Sequence, residues 1–214
     1  MKFEELMEAP LPDNWNASAL RPEVSSKDRL TYVLSLAKEK GRGSSRVVVE
    51  TPHNGTMIAT KVAINHAGYG QNAAERQLFN DSAIRASRIV VPMIDSDTNM
   101  PPAWIQTEMC QPVAMRDIEA SCGGNLHDLV QYALEMNGEP PVSKGDSSKI
   151  DMMSPLARGM NVILSNHVNS LVLGDLVRIE NWGRRQTGEI VLIDIGATYE
   201  VMLSFYTGRN ISKF

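Results

Sequence analysis

Apolar residues recur along this chain in two rhythms, and the switches between them mark out its elements. Leu30, Val33, Leu34 and Ala37 fall at helical spacing and predict a helix over about 27–40, capped by Ser25 and Ser26. The β-branched run Val47-Val48-Val49 and the stretch from Met57 to Ile64 flank Pro52-His53-Asn54-Gly55, the pattern of a β-hairpin. Ala73-Ala74-Glu75-Arg76-Gln77-Leu78-Phe79 is rich in good helix formers. Ile89-Val90-Val91 and Ala103-Trp104-Ile105-Gln106-Thr107 read as two further strands on either side of a polar, proline-containing turn. Asn125 caps a helix with Leu126, Leu129, Val130, Ala133 and Leu134 on one side, and Leu156, Met160, Ile163, Leu164, Val168 and Leu171 mark a core helix. The last apolar run, Ile190 to Ile193, follows a turn and predicts a strand that delivers Asp194 to its end.

Between these elements lie two polar stretches. Residues 1–25 carry Pro10, Pro12 and Pro22 and read as an irregular arm, and Asn137 to Ser154 reads as an exposed loop. No internal repeat is evident. The 214 residues are 43% hydrophobic and 21% charged, enough for a sizeable core in one domain or two small lobes. A net charge of −4 without a Lys/Arg run argues against a nucleic-acid binder, because neutralising phosphates needs a basic surface. No apolar run is long enough to span a membrane, and Met1-Lys2-Phe3-Glu4-Glu5 lacks the features of a signal peptide, so no membrane association and a cytoplasmic protein are expected. Cys110 and Cys122 have no metal spacing and are expected to be reduced thiols. His127 and His167 lie on predicted helices with no paired nucleophile and are read as structural or solvated.

The chemistry concentrates near the C-terminal end. Asp175 in Gly174-Asp175-Leu176, Asn181, and Asp194-Ile195-Gly196 recur at nearly the spacing that phosphoryl-transfer enzymes use around Mg²⁺. Upstream, Gly41-Arg42-Gly43-Ser44-Ser45-Arg46-Val47-Val48 follows G-x-G-x-x-G-x-V with Arg46 in place of the third Gly. The second hairpin strand carries Lys61 in Thr60-Lys61-Val62-Ala63, and the following helix carries Glu75.

Together these residues resemble the protein kinase-like superfamily. The fragments Gly-Ser-Ser-Arg-Val-Val and Gln-Asn-Ala-Ala-Glu also resemble kinase-like proteins carried by bacteriophages. The resemblance implies an α+β, kinase-like two-lobe fold: an N-lobe antiparallel sheet with one helix over 26–108, then a hinge and a small, mostly helical, truncated C-lobe over 109–214. It implies ATP and Mg²⁺ as cofactors. Gly41, Gly43, Ser44 and Ser45 would cover the phosphates, Lys61 would neutralise them, Glu75 would orient Lys61, and Glu108 would open the hinge that binds an adenine edge. Asn181 and Asp194 would hold the metal, and Asp175 would act as catalytic base. Several departures stand out: Leu173 and Gly174 replace the His and Arg of H-R-D, Ile195 replaces the Phe of D-F-G, and Asp175 precedes Asn181 by six positions rather than five. Only eighteen residues follow Gly196, too few for a full substrate platform. The expected function is therefore a minimal kinase-like phosphotransferase acting on a protein or small-molecule hydroxyl, with a protein partner completing the second lobe as a further implication. The alternative is a catalytically inactive pseudokinase serving as a phage structural or host-interaction module, either virion-associated or in the host cytoplasm.

Overall fold

The computed structural model describes residues 11–12, 14–53, 56–141 and 144–206. It is α+β, with an antiparallel five-stranded sheet, a small three-stranded sheet and eight α-helices among the described residues. Contacts divide the chain into two compact units, one of Met1–Arg76 with Met93–Met109, the other of Gln77–Pro92 with Cys110–Phe214.

In the first unit, a 3-10 turn at Ala17–Leu20 precedes α1 (Ser26–Leu36), whose N-terminus is capped by the Ser25 hydroxyl accepting from Asp28 N–H. Within the arm before α1, Leu20 is fully buried and Trp15 packs edge-on against Tyr32 of α1. Five strands follow, β1 (Lys38–Arg42), β2 (Arg46–His53), β3 (Thr56–Ala63), β4 (Met93–Ser96) and β5 (Trp104–Glu108), in the spatial order β1-β2-β3-β5-β4. The hairpin expected at Pro52 to Gly55 forms between β2 and β3, its tip at Asn54 and Gly55 lying outside the described residues. Val47, Val49 and Val62 join Leu20, Val33, Tyr69 and Trp104 in one core. Successive strand residues point to opposite faces, so Arg46 and Lys61, each one position from a core valine, project from the other face. α2 (His66–Asn80) runs on from β3; Asn65 Oδ1 accepts from Gly68 N–H at its first turn.

Two expectations change here. The helix expected over 27–40 stops at Leu36, and Lys38–Arg42 is a strand. It carries no apolar residue, so periodicity has nothing to register; it holds to β2 through its backbone and a Lys40–Glu50 ion pair of 3.1 Å. The strand expected at Ile89–Val91 is only an isolated bridge from Val90 to Leu192; Pro92 brings no N–H to continue it, and the strand that starts at Met93 pairs with β5 instead.

The second unit begins with α3 (Ser82–Ser87) and then has a short strand β6 (Gln111–Pro112), followed by α4 (Met115–Cys122) and α5 (Leu126–Met136). A capping box of Asn125 and Asp128 starts α5, and Ser154 with Pro155 at the first turn starts α6 (Pro155–His167). The loop between α5 and α6 carries a 3-10 turn at Ser147–Lys149. Ile89 and Ser87 press so closely on α6 that a Cβ on Gly159 would lie 2.5 Å from Ile89 Cγ2. α7 (Leu173–Leu176), a 3-10 turn at Ile179–Asn181, the hairpin of β7 (Trp182–Arg184) and β8 (Ile190–Leu192), and α8 (Tyr199–Phe205) complete the unit. Cys110 and Cys122 are free thiols; burial pushes the Cys122 pKa up. Among the described residues no helix is long and apolar enough to cross a membrane.

Candidate functional site

The first group of site residues belongs to the first unit. Lys61, midway along β3, donates to Glu75 Oε1 on α2, and both side chains are buried, at 7% and 0% exposure. The other carboxylate oxygen accepts from Arg46: its Nη1 lies 2.5 Å from Glu75 Oε2 and 3.3 Å from Asn72 Oδ1, one turn back on α2. Asn72 in turn donates to the carbonyls of Pro102 and Ala103 at 3.2 and 3.1 Å, just before β5. Glu75 is thus a fully buried carboxylate with a cation on each oxygen. Taking these charges from water is expensive, and the ion pairs recover that cost only through the close geometry seen here.

The glycine-containing turn lies between β1 and β2. Gly41 pairs with Val48 just after a register shift in β1, Gly43 N–H donates to Arg46 C=O at 2.9 Å, and Gly43 and Ser44 are exposed. Ser45 differs. Its hydroxyl donates to Gln71 Oε1 of α2 at 2.6 Å, its carbonyl accepts from Ile64 N–H at 2.9 Å, and the residue is 3% exposed. The sequence fragments Gly-Ser-Ser-Arg-Val-Val and Gln-Asn-Ala-Ala-Glu therefore touch: Ser45 meets Gln71, and Arg46 meets Asn72 and Glu75. Glu108 ends β5, half-buried and in register with Ile58.

The second group belongs to the second unit, on either side of the β7–β8 hairpin. Asn181 immediately precedes β7, Asp194 follows β8, and the ladder ends with Ile193 N–H donating to Asn181 C=O at 2.7 Å, so the two residues sit at the same end of the hairpin. Asn181 Nδ2 donates to Asp175 C=O at 2.8 Å, and Trp182 Nε1 donates to Leu176 C=O at 2.9 Å. Those two side chains fix α7, which carries Asp175, to the start of the hairpin. Downstream of Asp194 the chain returns to the residues just before α7, with Val172 N–H donating to Ala197 C=O at 3.2 Å and Tyr199 N–H to Ser170 C=O at 2.9 Å. Asp175, Asn181 and Asp194 are all half-buried. Arg178 lies 3.8 Å from Asp175 Oδ1, and Asp194 Oδ1 accepts from Gly196 N–H at 3.2 Å.

With its nitrogen bonded to the Asp175 carbonyl, Asn181 keeps an amide oxygen of the kind that ligates hard cations, and Asp194 supplies a carboxylate. Among the described residues no group of three or more His, Cys, Asp and Glu side chains could hold a metal ion. Mg²⁺ commonly binds through only one or two protein oxygens together with phosphate and water, and Asn181 and Asp194 carry oxygens of that kind. Farther along the same hairpin, Arg184 donates to Asp117 Oδ1 at 3.0 Å; a hydrogen bond from Ala114 N–H, with Arg184 adding to it, holds the Asp117 carboxyl below the usual range.

Sequence reasoning missed Arg46, Asn72, Gln71 and Trp182 as the residues that hold both groups. A signal was there in Arg46, a charged residue opening a valine run. The chain matches no protein-family model and no curated protein.

Proposed function

We propose that this chain is a kinase-like protein with the two-lobe fold of that superfamily, which binds ATP with Mg²⁺ and transfers the γ-phosphoryl group to a protein or small-molecule hydroxyl. The observation that carries this reading is the buried Lys61–Glu75 pair. A lysine kept charged inside a sheet seldom adds stability, since a hydrophobic pair of similar size often serves the fold as well or better. A cation aimed and held in this way is suited to neutralising phosphate oxygens. Asn181 and Asp194 offer hard oxygen ligands, and Asp175 stands on α7, which their hairpin braces. When bound, Mg²⁺ would neutralise charge on the transferred group. Lys61 then binds and orients the phosphates, Glu75 fixes the direction of Lys61, and Asp175 accepts the proton of the acceptor hydroxyl.

Calorimetry of ATP with and without Mg²⁺, on wild type, Lys61→Met and Asp194→Asn, tests this directly. Binding that requires Mg²⁺, is lost in both variants and leaves their circular dichroism unchanged is the expected result. No binding by the wild type at millimolar nucleotide sinks the proposal. A second reading, a module that keeps the fold without the chemistry in a phage structural or host-interaction role, is favoured by the burial of Ser45 and Arg46, where a phosphate-covering loop would open its backbone. That reading predicts a stable partner complex indifferent to both substitutions.

A further inference from the structure

We propose that Arg46 is a positioning residue that holds Glu75, and with it α2, in the Lys61-orienting place whether or not a ligand is bound. The inference rests on the nucleotide-site reading above and deepens it. Glu75 has two oxygens and two buried cations, Lys61 on Oε1 and Arg46 on Oε2. If Lys61 alone held the carboxylate, its turn toward a phosphate would weaken the hold on α2. Arg46 removes that dependence because it grips the helix twice, at Glu75 and at Asn72, with a planar guanidinium suited to two acceptors at once.

The neighbouring contacts extend the grip toward the helix start. Ser45 donates to Gln71, Asn65 Nδ2 donates to Ser44 C=O at 2.9 Å, and Gly68 packs so tightly that a Cβ there would meet Ser45 O at 2.2 Å. Asn72 carries the hold on to the carbonyls before β5. An arginine in the third-glycine position thus becomes the link between the turn and the helix. It acts on the site through Glu75, and the Lys61–Glu75 pair is built in rather than assembled on binding.

The test compares amide hydrogen exchange over the α2 segment 66–76 in wild type, Arg46→Gln, Arg46→Lys and Lys61→Met, with α5 (Leu126–Met136) as internal reference. The clamp predicts that Arg46→Gln speeds α2 exchange by roughly tenfold or more while α5 holds, because one partner of a buried charge group is gone. Arg46→Lys, which keeps the charge but not the fork, should fall between. Lys61→Met should stay within about twofold of wild type, because Arg46 still holds Glu75. If Arg46→Gln loosens α5 as well and so unfolds as a whole, the ordering of Arg46→Lys above Lys61→Met decides. Equal opening in the Arg46 and Lys61 variants, or none in either Arg46 variant, overturns the proposal. Magnesium–ATP titration of the same proteins separates the two readings. Binding that weakens in Arg46→Gln and recovers in part in Arg46→Lys marks positioning, a response that a purely structural arginine would not give. A wild type that binds no nucleotide but shows the exchange ordering removes the nucleotide site and leaves the clamp standing.

Discussion

Trp182 shows how much of the second group rests on one atom. Its ring is 1% exposed, and its indole N–H is the donor that reaches Leu176 C=O, adjacent to Asp175. Replacing it with Phe keeps most of the apolar contact and removes the donor, leaving a buried carbonyl without that partner. Such a loss costs about 1–3 kcal/mol, and the smaller ring adds a packing term of the same sign. Trp182→Phe is therefore expected to lower the urea midpoint and, on the proposed reading, to weaken Mg²⁺-dependent nucleotide binding by loosening α7, which carries Asp175. An unchanged midpoint would show that water satisfies Leu176 equally well. This role was not legible in the sequence, because an indole hydrogen bond to a carbonyl six positions back leaves no periodic trace.

At the scale of elements, the decisive contact is between α2 and the turn preceding β2. Gly68 in the first turn of α2 faces Ser45 O at 2.2 Å and Ala63 Cα at 3.0 Å from where a Cβ would stand. Helix propensity alone favours Gly68→Ala by about 1 kcal/mol. The clash involves backbone atoms of a strand end and a tight turn, which yield little, and overpacking of this kind costs about 1–3 kcal/mol. The steric effect should win, so Gly68→Ala is expected to destabilise the protein in urea denaturation and to speed exchange in α2; a higher midpoint would show that the turn can give way. Elements with strong patterns were readable in advance: the β2–β3 hairpin from its valines and turn residues, α5 from Asn125 and its leucines, α6 from its helical spacing. β1 was not, because an edge strand of Lys, Glu, Lys, Gly and Arg buries no apolar face and owes its place to the neighbour it pairs with. The Lys61–Glu75 pairing was anticipated through the kinase-like resemblance, whereas the second cation on Glu75 was not, since that motif assigns the position of Arg46 to a glycine.

At the scale of the whole molecule, the carboxyl groups that the fold shifts downward gather in one unit. Five carboxyl groups of the second unit are held below the usual range, each by hydrogen bonds made in the folded chain: Asp81 by Ala83 N–H, Asp117 by Ala114 N–H, Glu135 by the Ser147 hydroxyl, Asp146 by the Ser148 hydroxyl and Glu189 by the Thr187 hydroxyl. The bonds of Asp81 and Asp117 cap the starts of α3 and α4, and that of Glu135 joins α5 to the loop before α6. A carboxyl whose pKa is lower folded than unfolded contributes stability that is complete above the unfolded value, about 4, and is lost as pH falls through the folded one. Glu135, Asp146 and Glu189 are exposed and Asp81 and Asp117 half-buried, so each contributes little by itself, but the sign is shared and the effects accumulate in one unit. The second unit should therefore weaken in acid while neutral pH leaves it at full strength. Trp182 is the only tryptophan in that unit, so urea denaturation read from its fluorine resonance after 5-fluorotryptophan labelling reports on it alone. The expected result is a lower midpoint at about pH 3 than at about pH 6, on either side of the ordinary carboxylate range. A midpoint that holds or rises in acid would mean that these bonds form equally well to the protonated groups, and that the second unit draws its stability from its apolar core instead.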